Sequence, residues 1–293
     1  AWNDPVRGSV RWIRLGPLSI QPSEIAKLAI VIYLADFLSR KRRHQESFKK
    51  GLMPALLVLG TVVGLVALER NLSCVVHIAL ISSPLLFIGG ARIRHLLGLG
   101  IVFAAVVAGS LFASPYQRER IKTYTSGSFD ALGKDYQVQQ SLIAIGSGGW
   151  TGVGLGQSKQ KYYFLPDSHT DFVFSVAGEE GGFIFGSLFV MGLFLVFAWR
   201  GTRIAMRAPD EEGRLLAMGI TLLVFLYAML NIAVVTRSIP TTGVPLPFIS
   251  YGGSSLLVAL FGSGVLLNIS KQSTGRRFAN ADQVKQRLAK RGR

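Results

Sequence analysis

The chain has 293 residues, of which 49% are hydrophobic, and a mean hydropathy of +0.40; this is too apolar for an ordinary water-soluble domain of its size. Its 32 Lys and Arg against 16 Asp and Glu give a net charge of +16, which in a chain with long apolar runs points to basic loops on one side of a membrane and away from nucleic acid. One cysteine, Cys74, excludes an intramolecular disulfide and a cysteine-based metal cluster.

In chain order, the start "AWNDPVRGSVRWIRLG" has no initiator Met, no signal peptide and no span, and is expected to begin inside an external loop with earlier spans preceding it. Apolar runs follow at residues 23–39, 51–68, 73–90, 95–114, 172–199, 215–236 and 250–270. Each approaches or exceeds the ~20 residues that cross a bilayer as a helix. The expected fold class is all-α: a polytopic membrane helix bundle of seven spans, forming one integral membrane domain over residues 1–293 that is incomplete at its N-terminus. With the N-terminus outside, the inner segments 40–50, 91–94, 200–214 and 270–293 carry 20 Lys and Arg in 54 residues, against 11 in 96 for the outer segments. The positive-inside rule therefore places the N-terminus outside and the C-terminus inside, with 271–293 as a basic cytoplasmic tail.

Residues 115–171 form a 57-residue outer loop, longer than a structureless connection without a function. Within it, "DYQVQQSLIAIGSGGWTGVGLG" is apolar, glycine-rich and too short to span. Irregular backbone at membrane depth survives beside protein or a water-filled cavity, so these glycines hint at a cavity. The connection "RSIPTTGVPLPFISYGGSS", residues 237–255, lies on the same face, and the site is expected there.

Several polar residues stand out. Glu24 and Lys27 share one helical face, either as a cavity pair or as a snorkelling interfacial pair. Glu69 closes the second run, ahead of Arg70 and Asn71. Arg118, Arg120, Lys122, Lys159 and Lys161 put positive charge on the long loop; as a group they suit a diphosphate or another anion, while singly they serve as solvated or headgroup-facing charges. Asp171 stands where the loop turns helical, and reads either as an N-cap or as a partly desolvated carboxylate able to act as a general base, with His169 to position it or bind phosphate. Glu179 and Glu180, placed about 12 Å below Asp171 on a continuous helix, line an aqueous cavity or are satisfied by neighbouring donors. Gly178, Gly181 and Gly182 allow close helix approach. His77 and His95 read as structural.

Three stretches carry a family resemblance: "RWIRLGPLSIQPSEIAKLAIVIYLADFLSRK", "YQVQQSLIAIGSGGWTGVGLGQSKQKYYFLPDSHTDFVFSVAGEEGGFI" and "TTGVPLPFISYGGSSLL". In family order and over nearly the whole chain, they resemble the SEDS family (FtsW/RodA/SpoVE), polytopic bacterial glycosyltransferases that polymerise peptidoglycan from lipid II. The resemblance implies spans four to ten of a ten-span fold, in the bacterial cytoplasmic membrane and at the division septum for an FtsW-like member; the sporulation member is also close. It implies Asp171 as the catalytic base and Glu24 and Lys27 as cavity-lining residues. Glu69, Lys159, Lys161, His169, Glu179 and Glu180 complete the expected substrate-binding set. Basic residues or a divalent cation, Mg or Mn, would neutralise the leaving diphosphate. The expected partners are lipid II, a class B penicillin-binding protein and other divisome membrane proteins. The family pattern Glu-Pro-Asp is replaced here by Glu69, Arg70 and Asn71. Competing readings are a lipid II flippase, which needs a polar path to the inner leaflet, where Asp36 is the only acid near a span's inner end, a seven-span receptor, and a divisome scaffold.

Overall fold

A computed structural model describes residues 12–15, 18–41, 48–69, 71–113, 124, 136–166 and 168–291. Helices occupy all seven apolar runs. A short antiparallel ribbon, β1 (Ile13–Leu15) and β2 (Leu18–Ile20), pairs Ile13 with Ile20 and leads into α1 (Pro22–Arg40). Pro22 sits in the first turn of α1, where its fixed φ suits a helix and its missing N–H costs no bond. A π-turn (Phe48–Leu52) opens α2 (Met53–Leu68), then come α3 (Leu72–Ile88) and α4 (Ile93–Ala113). The short α5 (Tyr136–Ser147), α6 (Lys159–Tyr163) and α7 (Val173–Gly181) precede a π-helical segment (Gly182–Leu188) that continues as α8 (Phe189–Arg207). Two long helices, α9 (Glu211–Val235) and α10 (Gly253–Arg291), complete the chain.

Three helical stretches are long and apolar enough to cross a membrane, Val173–Arg207, Glu211–Val235 and Gly253–Ser273, with shorter apolar helices at Met53–Leu68, Leu72–Ile88 and Ile93–Val106. The first stretch is not one rod. Gly182 has φ +69, and a Cβ built at Gly186 would lie 1.9 Å from the Ala177 carbonyl oxygen, whereas nine residues of straight helix span about 13 Å. The chain therefore folds back at Gly181–Gly182, and α7 runs antiparallel to the helix that follows it. This corrects the expected continuous helix over 172–199.

Helix α9 forms the centre, packed against α1, α3, α8 and α10. Its start is built from Asp210, whose Oδ1 accepts from the Gly213 N–H at 3.1 Å, and from Glu211 and Glu212 in the first turn, which complement the positive end of the helix dipole. Close approach depends on small residues: a Cβ at Gly219 would lie 2.5 Å from Val31, and one at Gly201 would lie 2.1 Å from the Thr221 hydroxyl. Leu34, Leu38, Ile78, Leu85 and Leu86 fill one core between α1, α2 and α3. Phe174, Phe194, Ile220, Val224 and Leu246 belong to a second between α7, α8, α9 and α10. The end of the bundle where α1, α3 and α10 begin is called here the loop end.

Candidate active site

At the loop end the connections are tied together by hydrogen bonds between distant segments. The Gln21 N–H donates to Ser254 Oγ at 3.0 Å, the Ser73 hydroxyl to the Thr242 carbonyl at 2.7 Å, and the Ser141 hydroxyl to the Val235 carbonyl at 2.9 Å. Asp171 sits within this net, half-buried. Helix α7 starts at Val173 with Phe172 at the N-cap and no side-chain cap, so Asp171 stands one residue outside the N-cap position. Its carbonyl accepts from Asn231 Nδ2 at 2.7 Å, and the same nitrogen donates to the Val244 carbonyl at 2.6 Å. The Ser250 hydroxyl donates to the Thr170 carbonyl and accepts from the Leu246 N–H, while the Tyr251 N–H donates to the His169 carbonyl. Backbone 169–171 is thus clamped to connection 236–252. Gly243, at φ +65, lies against the carboxylate: a Cβ there would be 3.3 Å from Asp171 Oδ2.

One helical turn deeper along α9, on the same face as Asn231, Tyr227 joins a buried charged cluster. Lys27 Nζ lies 2.7 Å from Glu24 Oε1, the Tyr227 hydroxyl donates to that same oxygen at 2.6 Å, and Nζ sits 3.9 Å above the Tyr227 ring. Lys27 is only 2% exposed; the snorkelling alternative, in which the ammonium reaches water, does not describe this geometry. His77 stacks on Tyr227 with centroids 4.3 Å apart. Glu24, Lys27, His77, Tyr227 and Ser255 line a small cavity together with aliphatic side chains. Sequence reasoning treated His77 as structural and passed over Tyr227 and Asn231. The available signal was an amide and a phenol one turn apart in an otherwise apolar run.

The two glutamates divide. Glu179 accepts from the Ser158 hydroxyl at 2.5 Å, the Lys159 N–H at 3.1 Å and the Gln160 N–H at 3.3 Å, the arrangement anticipated as satisfaction by neighbouring donors. Glu180 Oε1 lies 3.8 Å from Lys161 Nζ. Because α7 runs back toward the loop end, both stand on the loop-end side of Asp171, not below it. Two glycines of the preceding loop, Gly148 and Gly152, meet backbone and not a cavity. A Cβ at Gly148 would lie 2.1 Å from the Gly178 carbonyl, and one at Gly152 2.1 Å from that of Glu180, so backbone 148–154 packs directly on the hairpin. The Val153 and Gly154 N–H groups cap the Glu179 and Glu180 carbonyls, and the Gly149 and Trp150 carbonyls accept from Phe183 and Ile184. The hairpin's end-of-helix donors and acceptors are satisfied this way.

Lys159 and His169 are exposed and Lys161 is half-buried. Glu69, half-buried, ends α2 at the loop end. Asn71, the amide in place of the family's carboxylate, is the N-cap of α3, its Oδ1 accepting from the Cys74 N–H at 3.3 Å. Arg70, Arg118, Arg120 and Lys122 lie outside the described residues. Asp36 pairs with Arg40 at 2.6 Å near the opposite end of α1.

A family model described as "Cell cycle protein", that of FtsW, RodA and SpoVE, matches residues 3–275. The chain belongs to this family. Among the family's curated members, Stage V sporulation protein E of Bacillus subtilis (strain 168) is 44% identical over 266 residues, covering 91% of this chain and 72% of that protein. A probable peptidoglycan glycosyltransferase FtsW of Trichlorobacter lovleyi is 42% identical over 265 residues, covering 90% of this chain and 69% of the relative. Among solved structures, a chain from a peptidoglycan synthase complex, described for its coordination of polymerization and crosslinking, superposes with a TM-score of 0.73 at 32% identity, covering 92% of this chain and 75% of that one. Thermus thermophilus RodA superposes with a TM-score of 0.64 at 30% identity, covering 92% and 72%. The FtsW/RodA/SpoVE chain described here is therefore a helical membrane protein with the fold of these relatives. Among the described residues no three His, Cys, Asp or Glu side chains converge as metal ligands.

Proposed function

We propose that the chain is a peptidoglycan glycosyltransferase that polymerises lipid II at the outer face of the bacterial cytoplasmic membrane, in septal wall synthesis, alongside a class B penicillin-binding protein and other divisome membrane proteins. The observation that carries this reading is Asp171, a half-buried carboxylate whose backbone is fixed by Asn231, one turn of α9 from the Glu24–Lys27–Tyr227 cluster. In a chain of this family, a carboxylate fixed near buried charged side chains supports a proton-accepting role. The distribution of Lys and Arg supports placing the loop end outside.

In the proposed reaction, the 4-hydroxyl of one lipid II sugar gives its proton to Asp171 as its oxygen bonds to the anomeric carbon of the growing strand. The bond from that carbon to the undecaprenyl diphosphate breaks, and the diphosphate leaves with the electron pair. Lys159 and Lys161 offer it positive charge, with His169 at the mouth and Glu69 at the rim. Glu24 and Lys27 hold the substrate's polar groups in the cavity. A magnesium-type ion binds through one or two carboxylates plus substrate phosphates, so Mg or Mn would arrive with the diphosphate; the described residues form no cage for it, and no step depends on it.

Reconstitution of the intact protein with a class B penicillin-binding protein and lipid II is the test. Glycan strands of many disaccharides are expected. Transfer of lipid II across the vesicle membrane with no strands formed would favour the flippase reading and overturn this one.

A further inference from the structure

The Glu179 carboxylate is buried, 2% exposed, and its two oxygens take three donors from a single stretch of backbone about twenty residues earlier: the Ser158 hydroxyl, the Lys159 N–H and the Gln160 N–H, at 2.5, 3.1 and 3.3 Å. Hydrogen bonds to an ionised acceptor are the strong ones. Ser158 is itself fully buried and turns its oxygen to the Lys161 N–H at 3.0 Å. The first turn of α6 therefore hangs on one side chain of the re-entrant α7. Immediately beyond this anchor, α6 carries Lys159 and Lys161, and Lys161 Nζ reaches within 3.8 Å of Glu180. The far end of the same segment, residues 169–171, is clamped by Asn231, Ser250 and Tyr251. The segment is thus held at two points, at Ser158–Gln160 by Glu179 and at residues 169–171, which include Asp171.

We infer that Glu179 is a positioning residue, a latch that holds α6 so that Lys159 and Lys161 face the leaving group while Asp171 faces the attacking hydroxyl. Glu179 touches no reacting atom. It lies in the last turns of α7, whereas Asp171 precedes that helix, so the anchoring point is separate from the chemistry, and the latch works by fixing where the lysines stand. The antiparallel hairpin at Gly181–Gly182 makes this possible, because it brings the end of α7 back over the loop from which α6 springs. This inference rests on the glycosyltransferase reading for its kinetic consequence and on geometry alone for the latch itself.

Three variants test it in the intact, partner-bound protein. Glu179→Gln replaces one acceptor oxygen by a donor, and Ser158→Ala removes the shortest bond while leaving the charge in place; Ser158→Thr restores a hydroxyl. Amide hydrogen exchange over residues 158–164 is expected to accelerate at least tenfold in Glu179→Gln and Ser158→Ala. The KM for lipid II rises about tenfold with kcat within about threefold, and Ser158→Thr returns both toward wild type. Protected amides in both variants would overturn the latch. Deprotected amides with KM unchanged would overturn the positioning role. If Glu179→Gln does not fold, Ser158→Ala decides alone. A wild-type protein that forms no glycan would count against the proposed function, and exchange would then decide the latch without it.

Discussion

Gly243 is the smallest residue at the site and among the most constrained. Its φ of +65 is costly for any side chain, and a Cβ would sit 3.3 Å from Asp171 Oδ2. Gly243→Ala is expected to cost about 1 kcal/mol of stability from backbone strain and to lower polymerisation about tenfold by moving the carboxylate, measurable as thermal unfolding in detergent and as strand yield. The buried Glu24–Lys27 pair makes a second prediction at this scale. Removing one partner leaves an uncompensated charge and costs about 3–5 kcal/mol. Glu24→Gln and Lys27→Met should each destabilise the protein by that order, and the double variant by clearly less than their sum; additive losses would show that the two side chains do not depend on each other. The pair was legible in the sequence from its spacing, and the Asp171 stretch from its motif. Asn231 was not, because its work is done on backbone carbonyls of segments 60 and 13 residues away, which no local pattern records.

At the scale of elements, the re-entrant α7 is where sequence and structure part. Hydropathy sums residues without regard to direction, so Val173–Arg207 scores as one long apolar stretch although it reverses at Gly182. Gly178, Gly181 and Gly182 stand out in the sequence, but close packing of two separate helices and a sharp reversal draw on the same residue type. The distinction lies in which backbone they meet: Gly186 meets Ala177, its own neighbour across the turn. Gly186→Ala is expected to destabilise the fold by about 3 kcal/mol or more, since the clash is with backbone that cannot swing away. The check is thermal unfolding in detergent, with Gly192→Ala as control, where a Cβ would meet nothing within 4 Å. Equal stability of the two variants would refute the hairpin. The same reasoning explains Asn71, where the expected carboxylate is absent but the oxygen that caps α3 is kept.

For the whole molecule, composition alone reached the class: apolar content gave the membrane, and the charge distribution gave a sidedness that the fold does not test. The fold adds that the bundle is organised around α9, with loop-end segments among the described residues hydrogen-bonded to one another, which separate spans cannot anticipate. Sidedness can be measured directly, because the only cysteine is buried. With cysteine introduced at Leu155, 89% exposed near the site, or at Met206, 69% exposed at the opposite end, a membrane-impermeant maleimide should label the first in intact cells and the second only after permeabilisation. The reverse pattern would put the site on the cytoplasmic side.

The proposed chemistry rests on the carboxylate of Asp171. The deciding measurement is lipid II polymerisation by the intact protein with the proposed class B penicillin-binding protein, comparing wild type with Asp171→Asn, which keeps the size and the backbone contact to Asn231 but removes the proton acceptor. Strand formation is predicted to fall by at least about 100-fold, the scale of general-base catalysis, with expression, thermal stability and partner binding unchanged. Polymerisation within a few-fold of wild type would contradict the assignment and leave Asp171 a structural residue of the loop end.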